Sequence, residues 1–300
     1  MRGYYRPMKP LRTRLREAAL RMRVSQMVVE KDYALSYLLA GIAANPDLSG
    51  TLIFKGGTAL KKLYFGDYRF SEDLDFSAVD APRGQALEEG IREAVNVAMK
   101  LLSAHGPFQI ETARYTERDP HPGGQEAFTA RVKFPWYPSP LCRIKVEITH
   151  NEPVLLEAER RLLIHGYEEE LAASLRGYPL AEIVAEKMRA LLQTQQKLLA
   201  RGWNRPRARD YYDLWRILRD FGPSLKGVEL NDLLKRKSGH RGVSYGSLDD
   251  FFTAELEAEA RRNWDGNLRP FVPELPACDD VLAELKQILP DFFPDLIDRR

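Results

Sequence analysis

The sequence predicts an α+β protein in which a mixed-sheet domain, residues 1–160, precedes a helical domain, residues 161–300. Alternating or short apolar runs, which are typical of strands, fall in the first half, and glycine, proline and asparagine turns separate them from helical segments. Beyond about residue 165 the spacing of the apolar residues becomes helical. A length of 300 residues is sufficient for two domains.

The individual elements follow from these patterns in order along the chain. Helices are expected over residues 12–44, 85–104, 181–200 and 208–221, with a short helix after the glycine turn at residues 56–58. Strands are expected over residues 51–54, 73–76, 108–115, 127–134 and 142–149. A loop at residues 119–124 joins two of these strands, and Pro153 closes the first half. The C-terminal tail is expected to form acidic helices interrupted by prolines.

The charge is distributed unevenly, although the net charge is only +2. Residues 1–31 and residues 187–219 each carry a balance of +7, whereas residues 247–300 carry −7. Basic segments of this kind attract phosphates or nucleic acid, but solvated helix faces have the same composition.

Several classes of protein do not fit this composition. No run of eighteen apolar residues is present, so a membrane span is not expected, and the basic N-terminus lacks the apolar run of a secretory signal. Two cysteines, Cys142 and Cys278, allow at most one disulfide and cannot form a cysteine zinc site. The expected location is the cytoplasm.

A paired-glycine turn, Gly56-Gly57-Thr58, stands between the buried strand and the short helix. Glycines let the backbone approach a phosphate closely, and the start of a helix offers free N–H groups and the positive end of its dipole. Because an ordinary turn uses the same residues, the turn alone leaves both interpretations open.

Asp73 and Asp75 flank Leu74 in a strand pattern, which places both carboxylates on one face. Neighbouring carboxylates repel each other unless a cation lies between them, and an oxygen-rich site suits Mg²⁺ that also accepts phosphate oxygens. The alternative is a solvent-facing acidic strand at a sheet edge. The apolar flanks and the preceding glycine turn favour the metal site.

Glu147 lies on the polar face of the strand at residues 142–149. If this strand neighbours that of Asp73 and Asp75, Glu147 adds a third carboxylate, and three carboxylates can hold two metal ions. Glu147 can instead pair with Lys145 or Arg143.

The helical half contains two further candidate site residues, one basic and one acidic. Lys187 lies at the border of an apolar helix stripe, where a lysine either points its ammonium into a cleft or reaches solvent without a function. Asp210 stands near the start of the next helix, where the dipole favours an acid in any case. Asp213 is spaced to pair with Arg209.

Several sequence blocks carry a resemblance to a known family. They are Val29-Glu30-Lys31-Asp32, then Phe54-Lys55-Gly56-Gly57-Thr58-Ala59-Leu60 with Tyr64, then Arg69-Phe70-Ser71-Glu72-Asp73-Leu74-Asp75-Phe76, and finally Ala185-Glu186-Lys187 and Arg209-Asp210-Tyr211-Tyr212-Asp213-Leu214. In this order they resemble the AbiEii/AbiGii family, nucleotidyltransferase-like toxins of abortive-infection and toxin–antitoxin systems. The resemblance covers roughly residues 25–220 and leaves the acidic tail unmatched.

The resemblance implies a DNA-polymerase-β-like nucleotidyltransferase fold followed by a helical bundle that closes over the nucleotide. It implies that Gly56, Gly57 and Thr58 bind the triphosphate, with Thr58 in place of the serine usual in the wider superfamily. Arg69 and Ser71 would lie beside the metal site.

The same resemblance assigns the charged residues. Asp73 and Asp75 would bind Mg²⁺ or Mn²⁺, and Glu147 stands where the superfamily often has an aspartate. Glu147 or Asp210 would assist as a metal ligand or as a base. Lys187 would contact a nucleotide phosphate, and Asp210 would be a further acid that activity requires.

We therefore expect a Mg²⁺-dependent nucleotidyltransferase that transfers NMP from an NTP to an acceptor hydroxyl, above all at the 3′ end of tRNA. As a resemblance to this family implies, it would be the toxin of a type IV toxin–antitoxin system active in phage defence, with a cognate antitoxin, often a winged-helix regulator. The two basic segments are compatible with an RNA partner.

Other functions remain open. The acceptor can instead be a protein side chain or a small molecule such as an aminoglycoside, or the chain can be a catalytically idle protein that binds a nucleotide or a partner. A Mg²⁺-dependent nuclease ranks below these, since it gives no reason for the glycine turn.

Overall fold

A computed structural model describes residues 8–116, 124–202 and 206–297. The loop expected at residues 119–124 lies outside the described residues except for Gly124, as do residues 1–7 of the first basic segment and Arg205 of the second. The chain forms two compact units, the first of residues 1–152 and 160–177 and the second of residues 153–159 and 178–300.

The first unit is built on one seven-stranded mixed sheet. Its strands are β1 (Leu52–Lys55), β2 (Leu74–Ala78), β3 (Gln109–Tyr115), β4 (Gln125–Lys133), β5 (Cys142–Thr149), β6 (Glu159–Leu162) and β7 (Ser174–Gly177). The order across the sheet is β3-β4-β5-β2-β1-β7-β6, with β2 parallel to β5 and antiparallel to β1. The expected α+β class with a mixed sheet is confirmed.

Two of these strands were not predicted from the sequence. β6 and β7 have four residues each, and neither carries an apolar alternation of the length that identifies a strand. β7 nevertheless pairs with β1 in parallel, Phe54 opposite Gly177. The expectation that the chain is helical beyond about residue 165 is therefore wrong for β7, because its pairing with β1 and not its own pattern makes it a strand.

The first unit also contains helices. They are α1 (Leu11–Met22), α2 (Gln26–Ala44), α3 (Pro46–Ser49), α4 (Gly56–Ala59) and α5 (Gly84–Leu102), and a π-helical turn at Leu60–Tyr64 continues α4. Side chains of α2 and α5 meet Phe128, Ala130 and Val146 of the sheet. Gly41 permits this packing, because a Cβ atom there would collide with the backbone of Ala94 in α5.

The single helix expected over residues 12–44 is two helices, α1 and α2. Arg23 has φ 52°, a left-handed conformation that ends α1. Ser25 then caps α2, its Oγ accepting a hydrogen bond of 3.3 Å from the Val28 N–H. The apolar periodicity runs across both helices and therefore did not show the break.

The second unit is helical, as expected. Its helices are α6 (Leu180–Arg201), α7 (Ala208–Leu225), α8 (Leu230–His240), α9 (Ala254–Leu268) and α10 (Cys278–Ile288). α6 agrees with the prediction, whereas α7 continues four residues beyond the predicted end at residue 221 and ends on the buried Leu225. In the described part of the chain no helix combines the length and apolarity that crossing a bilayer requires.

A buried ion pair joins α6 to α8. The Lys237 Nζ lies 2.7 Å from Glu182 Oε1, and both side chains are almost fully inaccessible to solvent. The Glu182 carboxylate also accepts hydrogen bonds from the N–H groups of Leu155 and Leu156. Because the charges and hydrogen-bonding atoms satisfy one another, the pair avoids much of the cost of burying an isolated charge.

Candidate active site

The turn after β1 brings the backbone against a carboxylate. Gly56 has φ +77°, and a Cβ atom at this position would lie 2.7 Å from Asp75 Oδ2. Only glycine combines this conformation with so close an approach at little cost. The Gly56-Gly57 turn and the Asp73–Asp75 segment, which the sequence suggests belong together, are therefore in contact through Gly56 and Asp75.

Two further contacts tie the turn to the segment before β2. The Arg69 guanidinium lies directly over Gly57, where a Cβ atom would collide with it, and the Arg69 side chain is buried. The buried Thr58 hydroxyl donates a hydrogen bond of 2.5 Å to the backbone carbonyl of Asp73. Thr58 thus holds the start of the Asp73–Asp75 segment. Ser71, two residues before this segment, is half-buried.

Asp75 and Glu147 occupy neighbouring positions in the sheet. β2 and β5 pair in parallel with Asp75 opposite Glu147, so the condition set for a third carboxylate in this region is met. On the other side of β2, Lys55 of β1 stands opposite Asp75. Asp73 immediately precedes β2.

The carboxyl groups strongly perturb one another. Burial is the largest effect on Asp75, and together with the charges of Glu147 and Asp73 it raises the pKa of Asp75 to about 7, against the opposing charge of Lys55. Burial acts in the same direction on Glu147. Its pKa is nevertheless lowered, because the Lys145 ammonium donates to it.

Glu147 is also held in place by its neighbours. Its Oε1 accepts 2.6 Å hydrogen bonds from both Lys145 Nζ and Gln125 Nε2. The pairing of Glu147 with Lys145, which the sequence left open as an alternative, is therefore present alongside its position opposite Asp75.

The donor set fits a divalent cation bound mainly by two side chains. Asp73 and Asp75 offer carboxylate oxygens, and Mg²⁺ is usually bound by one or two carboxylates together with waters and substrate phosphates. Over residues 8–116, 124–202 and 206–297, no three acidic, histidine or cysteine side chains are arranged as a complete metal site. A cation there would relieve the repulsion that raises the pKa of Asp75.

The second unit brings Lys187 and Asp210 together. Lys187 Nζ lies 2.8 Å from Asp210 Oδ1 and 2.6 Å from Asp213 Oδ2. Arg207 approaches the other oxygen of Asp210 at 3.3 Å. Burial opposes ionisation of Asp210, but the charges of Lys187 and Arg207 outweigh it and lower its pKa.

Asp213 has a partner that the sequence did not predict. Its carboxylate binds Lys187 of α6, and Arg209 Nε donates to the backbone carbonyl of Asn267. Asp213 is fully buried, and the tertiary contact between α6 and α7 supplies a cation to it.

Four further residues lie near the Asp75–Glu147 carboxylates or beside Lys187 and Asp210, and the sequence analysis did not predict them as site residues. They are Lys55, Gln125, Asp213 and Arg207. Lys55 directly precedes the glycine turn, a position that could have identified it. Gln125 has no such signal, since only the register of β4 against β5 brings it near Glu147.

Comparisons with known proteins identify the family. The family described as "Nucleotidyl transferase AbiEii toxin, Type IV TA system" matches residues 37–292. Among solved structures, the chain is similar to MenT4, a nucleotidyltransferase toxin from Mycobacterium tuberculosis H37Rv, at 19% identity and a TM-score of 0.44, covering 92% of this chain and 99% of that one. No curated protein sequence matches. The family match extends over most of both units, and the chain belongs to the AbiEii family of nucleotidyltransferase toxins of type IV toxin–antitoxin systems.

Proposed function

We propose that this nucleotidyltransferase transfers NMP from an NTP to the 3′-terminal hydroxyl of tRNA and depends on Mg²⁺ or Mn²⁺. The observation that carries the proposal is the contact of the glycine turn with the acidic segment, in which Asp75 lies against Gly56 and Thr58 holds Asp73. A triphosphate bound at the start of a helix beside two carboxylates is the arrangement that metal-assisted phosphoryl chemistry needs.

In this proposal Asp73 and Asp75 hold the divalent cation, and Glu147 supports them from the neighbouring strand. When bound, the cation supplies positive charge that offsets the triphosphate and its pyrophosphate leaving group. The backbone N–H groups at the start of α4 bind phosphate oxygens, which glycine permits because no side chain blocks their approach. The Arg69 guanidinium over Gly57 adds a positive charge beside these groups.

Lys187 contributes a positive charge to the nucleotide phosphates in the same proposal. Asp210 and Asp213 bind its ammonium from two sides and so fix where it points. We assign Asp210 to activity through this positioning, and Arg207 keeps it ionised.

The basic segments at residues 1–31 and 187–219 support tRNA as the acceptor, since counterion release favours binding of a phosphate backbone. The family implies a cognate antitoxin, which we propose is a winged-helix regulator. Action in the cytoplasm as part of phage defence follows from the same proposal.

A labelling assay tests the proposed transfer of NMP to tRNA. The protein is incubated with total tRNA, Mg²⁺ and one α-labelled nucleoside triphosphate at a time, and the RNA is then separated from the protein. We expect label in tRNA with at least one nucleotide, no label after chelation by EDTA, and recovery on addition of Mg²⁺ or Mn²⁺. Asp73→Asn should abolish transfer, whereas Asp80→Asn, an exposed aspartate beyond the end of β2, should transfer normally.

The same separation of labelled fractions distinguishes the alternative acceptors. Label on protein would move the acceptor to a side chain, and label on an added aminoglycoside would move it to a small molecule. No label in any fraction with any of the four nucleotides would overturn the proposal in favour of a binding protein.

A further inference from the structure

The sheet face that carries Asp75 and Glu147 continues across β5, β4 and β3, where Ala113, Tyr115, Arg131 and Arg143 are exposed. Helices α2 and α5 pack against the opposite face, among Phe128, Ala130 and Val146. By register, alternate positions of each strand share this face, and we call a set of six of these residues the strand platform. Its defining residues are Ala113 and Tyr115 of β3, Thr129 and Arg131 of β4, and Arg143 and Lys145 of β5.

The platform carries unneutralised positive charge at one end. Arg131 and Arg143 are exposed and stand directly opposite each other on β4 and β5. Neither guanidinium forms an ion pair with any residue in the described part of the chain. Glu111 of β3 stands opposite Arg131, so these three residues together carry a net charge of +1. Like charges directly opposite on a sheet destabilise it. A bound polyanion would remove that cost.

An aromatic side chain lies at the end nearer the carboxylates. Tyr115 is opposite Ala127, which is opposite Glu147, which in turn is opposite Asp75. Three strand spacings of about 4.8 Å therefore separate the backbone of Tyr115 from that of Asp75, or about 14 Å. Tyr115 is 40% exposed to solvent, so part of its ring is accessible to a ligand.

Lys145 connects the aromatic end to the carboxylates. Its Nζ lies 4.7 Å from the centroid of the Tyr115 ring and 2.6 Å from Glu147 Oε1. The ring is thereby held between a fixed cation and solvent. Of the two small residues between the ring and the arginines, Ala113 is exposed and Thr129 is buried.

We propose that the strand platform binds the single-stranded nucleic-acid segment whose terminal hydroxyl is the acceptor. A base stacks on Tyr115, and the phosphates behind it meet Arg131 and Arg143. Stacking on an aromatic ring combined with a cationic track along the backbone is how proteins hold single strands without reading their sequence. The inference rests on the proposed function for the identity of the acceptor, and on the platform residues for its location.

Binding of a short single-stranded RNA, labelled at its 5′ end with a fluorophore, tests the inference. The full-length Asp73→Asn chain is used so that the oligonucleotide is not extended, and anisotropy is measured over a range of salt concentrations. The double variant Arg131→Gln/Arg143→Gln is compared with Arg92→Gln, which removes an exposed arginine from α5. Two lost phosphate contacts should lower the slope of log affinity against log salt by about 1.4. Arg92→Gln should leave affinity and slope unchanged.

Two substitutions at Tyr115 test the stacking contact separately. Tyr115→Ala should weaken binding roughly 5- to 150-fold, as expected for one lost stacking contact, and Tyr115→Phe should remain within about twofold of the parent. The stacking role is overturned if Tyr115→Phe loses as much as Tyr115→Ala.

Two outcomes separate this inference from the proposed function. If the double arginine variant matches Arg92→Gln in affinity and salt slope while tRNA is still labelled, the platform is not the acceptor surface and the transferase proposal stands. If the platform variants lose RNA binding as expected but no RNA is labelled, the platform is a nucleic-acid site and the proposed acceptor is wrong.

Discussion

One added methyl group at Gly56 would test how the glycine turn positions Asp75. In Gly56→Ala the new Cβ atom would lie 2.7 Å from Asp75 Oδ2, and ordinary contact begins at 3.4 Å, so the carboxylate must withdraw by about 0.7 Å. Alanine at φ +77° adds a strain of about 1–2 kcal/mol. Misplacement of a reacting group by about 1 Å costs on the order of 100-fold in rate, and we expect a loss of this size.

The assay combines label transfer with thermal unfolding. For a unit of this size, about 1–2 kcal/mol corresponds to a fall in Tm of roughly 2–8 °C. Gly50→Ala is the matched control, because a Cβ atom there meets nothing within 4 Å and φ is −91°. Its rate should be unchanged and its Tm equal to or slightly above that of the parent.

Gly57→Ala separates the two effects of the first substitution. Gly57 has no positive φ, and its new methyl group would meet the Arg69 guanidinium, the end of a flexible side chain. We expect little change in Tm but slower transfer, since Arg69 must move. If Gly56→Ala lost stability yet transferred label as fast as Gly50→Ala, the turn would not position Asp75 for the reaction and the reasoning would be refuted.

Three predictions concern buried charges. Lys187→Met should lower the free energy of unfolding in urea by about 3 kcal/mol, because its two aspartate partners lose the charge of its ammonium. Adding Asp213→Asn should restore part of the loss, and a double variant no more stable than Lys187→Met would contradict this. Burial raises the pKa of Glu169, but a nearby histidine together with hydrogen bonds from a tyrosine and an arginine prevails and lowers it below 4.5, so the unfolded chain binds more protons in acid. The stability that ionised Glu169 adds is present above pH 4.5 and declines as the pH falls further. The difference in urea midpoint between the parent and Glu169→Gln should therefore narrow between pH 5 and pH 3. A difference that stays constant over this range would exclude stabilisation by ionised Glu169. Lys237→Met should cost about 3–5 kcal/mol, because it leaves a carboxylate of α6 buried without its cation, whereas the exposed Lys235→Met should change stability by less than about 0.5 kcal/mol. Urea unfolding curves of the two lysine variants, measured side by side, check that difference.

Much of the fold and part of the site could be predicted because they depend on local pattern. The strand alternation around Leu74 and on β5 identified both strands, and the β5 bounds are the same in the structure. The paired glycines identified the turn that contacts Asp75. The roles assigned to Asp73, Asp75, Lys187 and Asp210 remain predictions, and the structure shows only which of them lie together.

Elements without a local pattern were beyond the reach of the sequence. β6 and β7 are short and partly charged, and β7 is a strand because the edge of β1 pairs with it. The break between α1 and α2 depends on one left-handed residue, Arg23, which nothing in the apolar spacing shows.

The sequence by itself determined which residue types stand on each strand face and helix face, because strand and helix periods follow from backbone geometry. Only the tertiary structure decided which faces meet. It placed Glu147 opposite Asp75 through a parallel pair between distant strands, and it brought Lys187 of one helix against Asp213 of another. Such partners are chosen by the packing of whole elements, where burial of a charge requires a counter-charge wherever the fold supplies one.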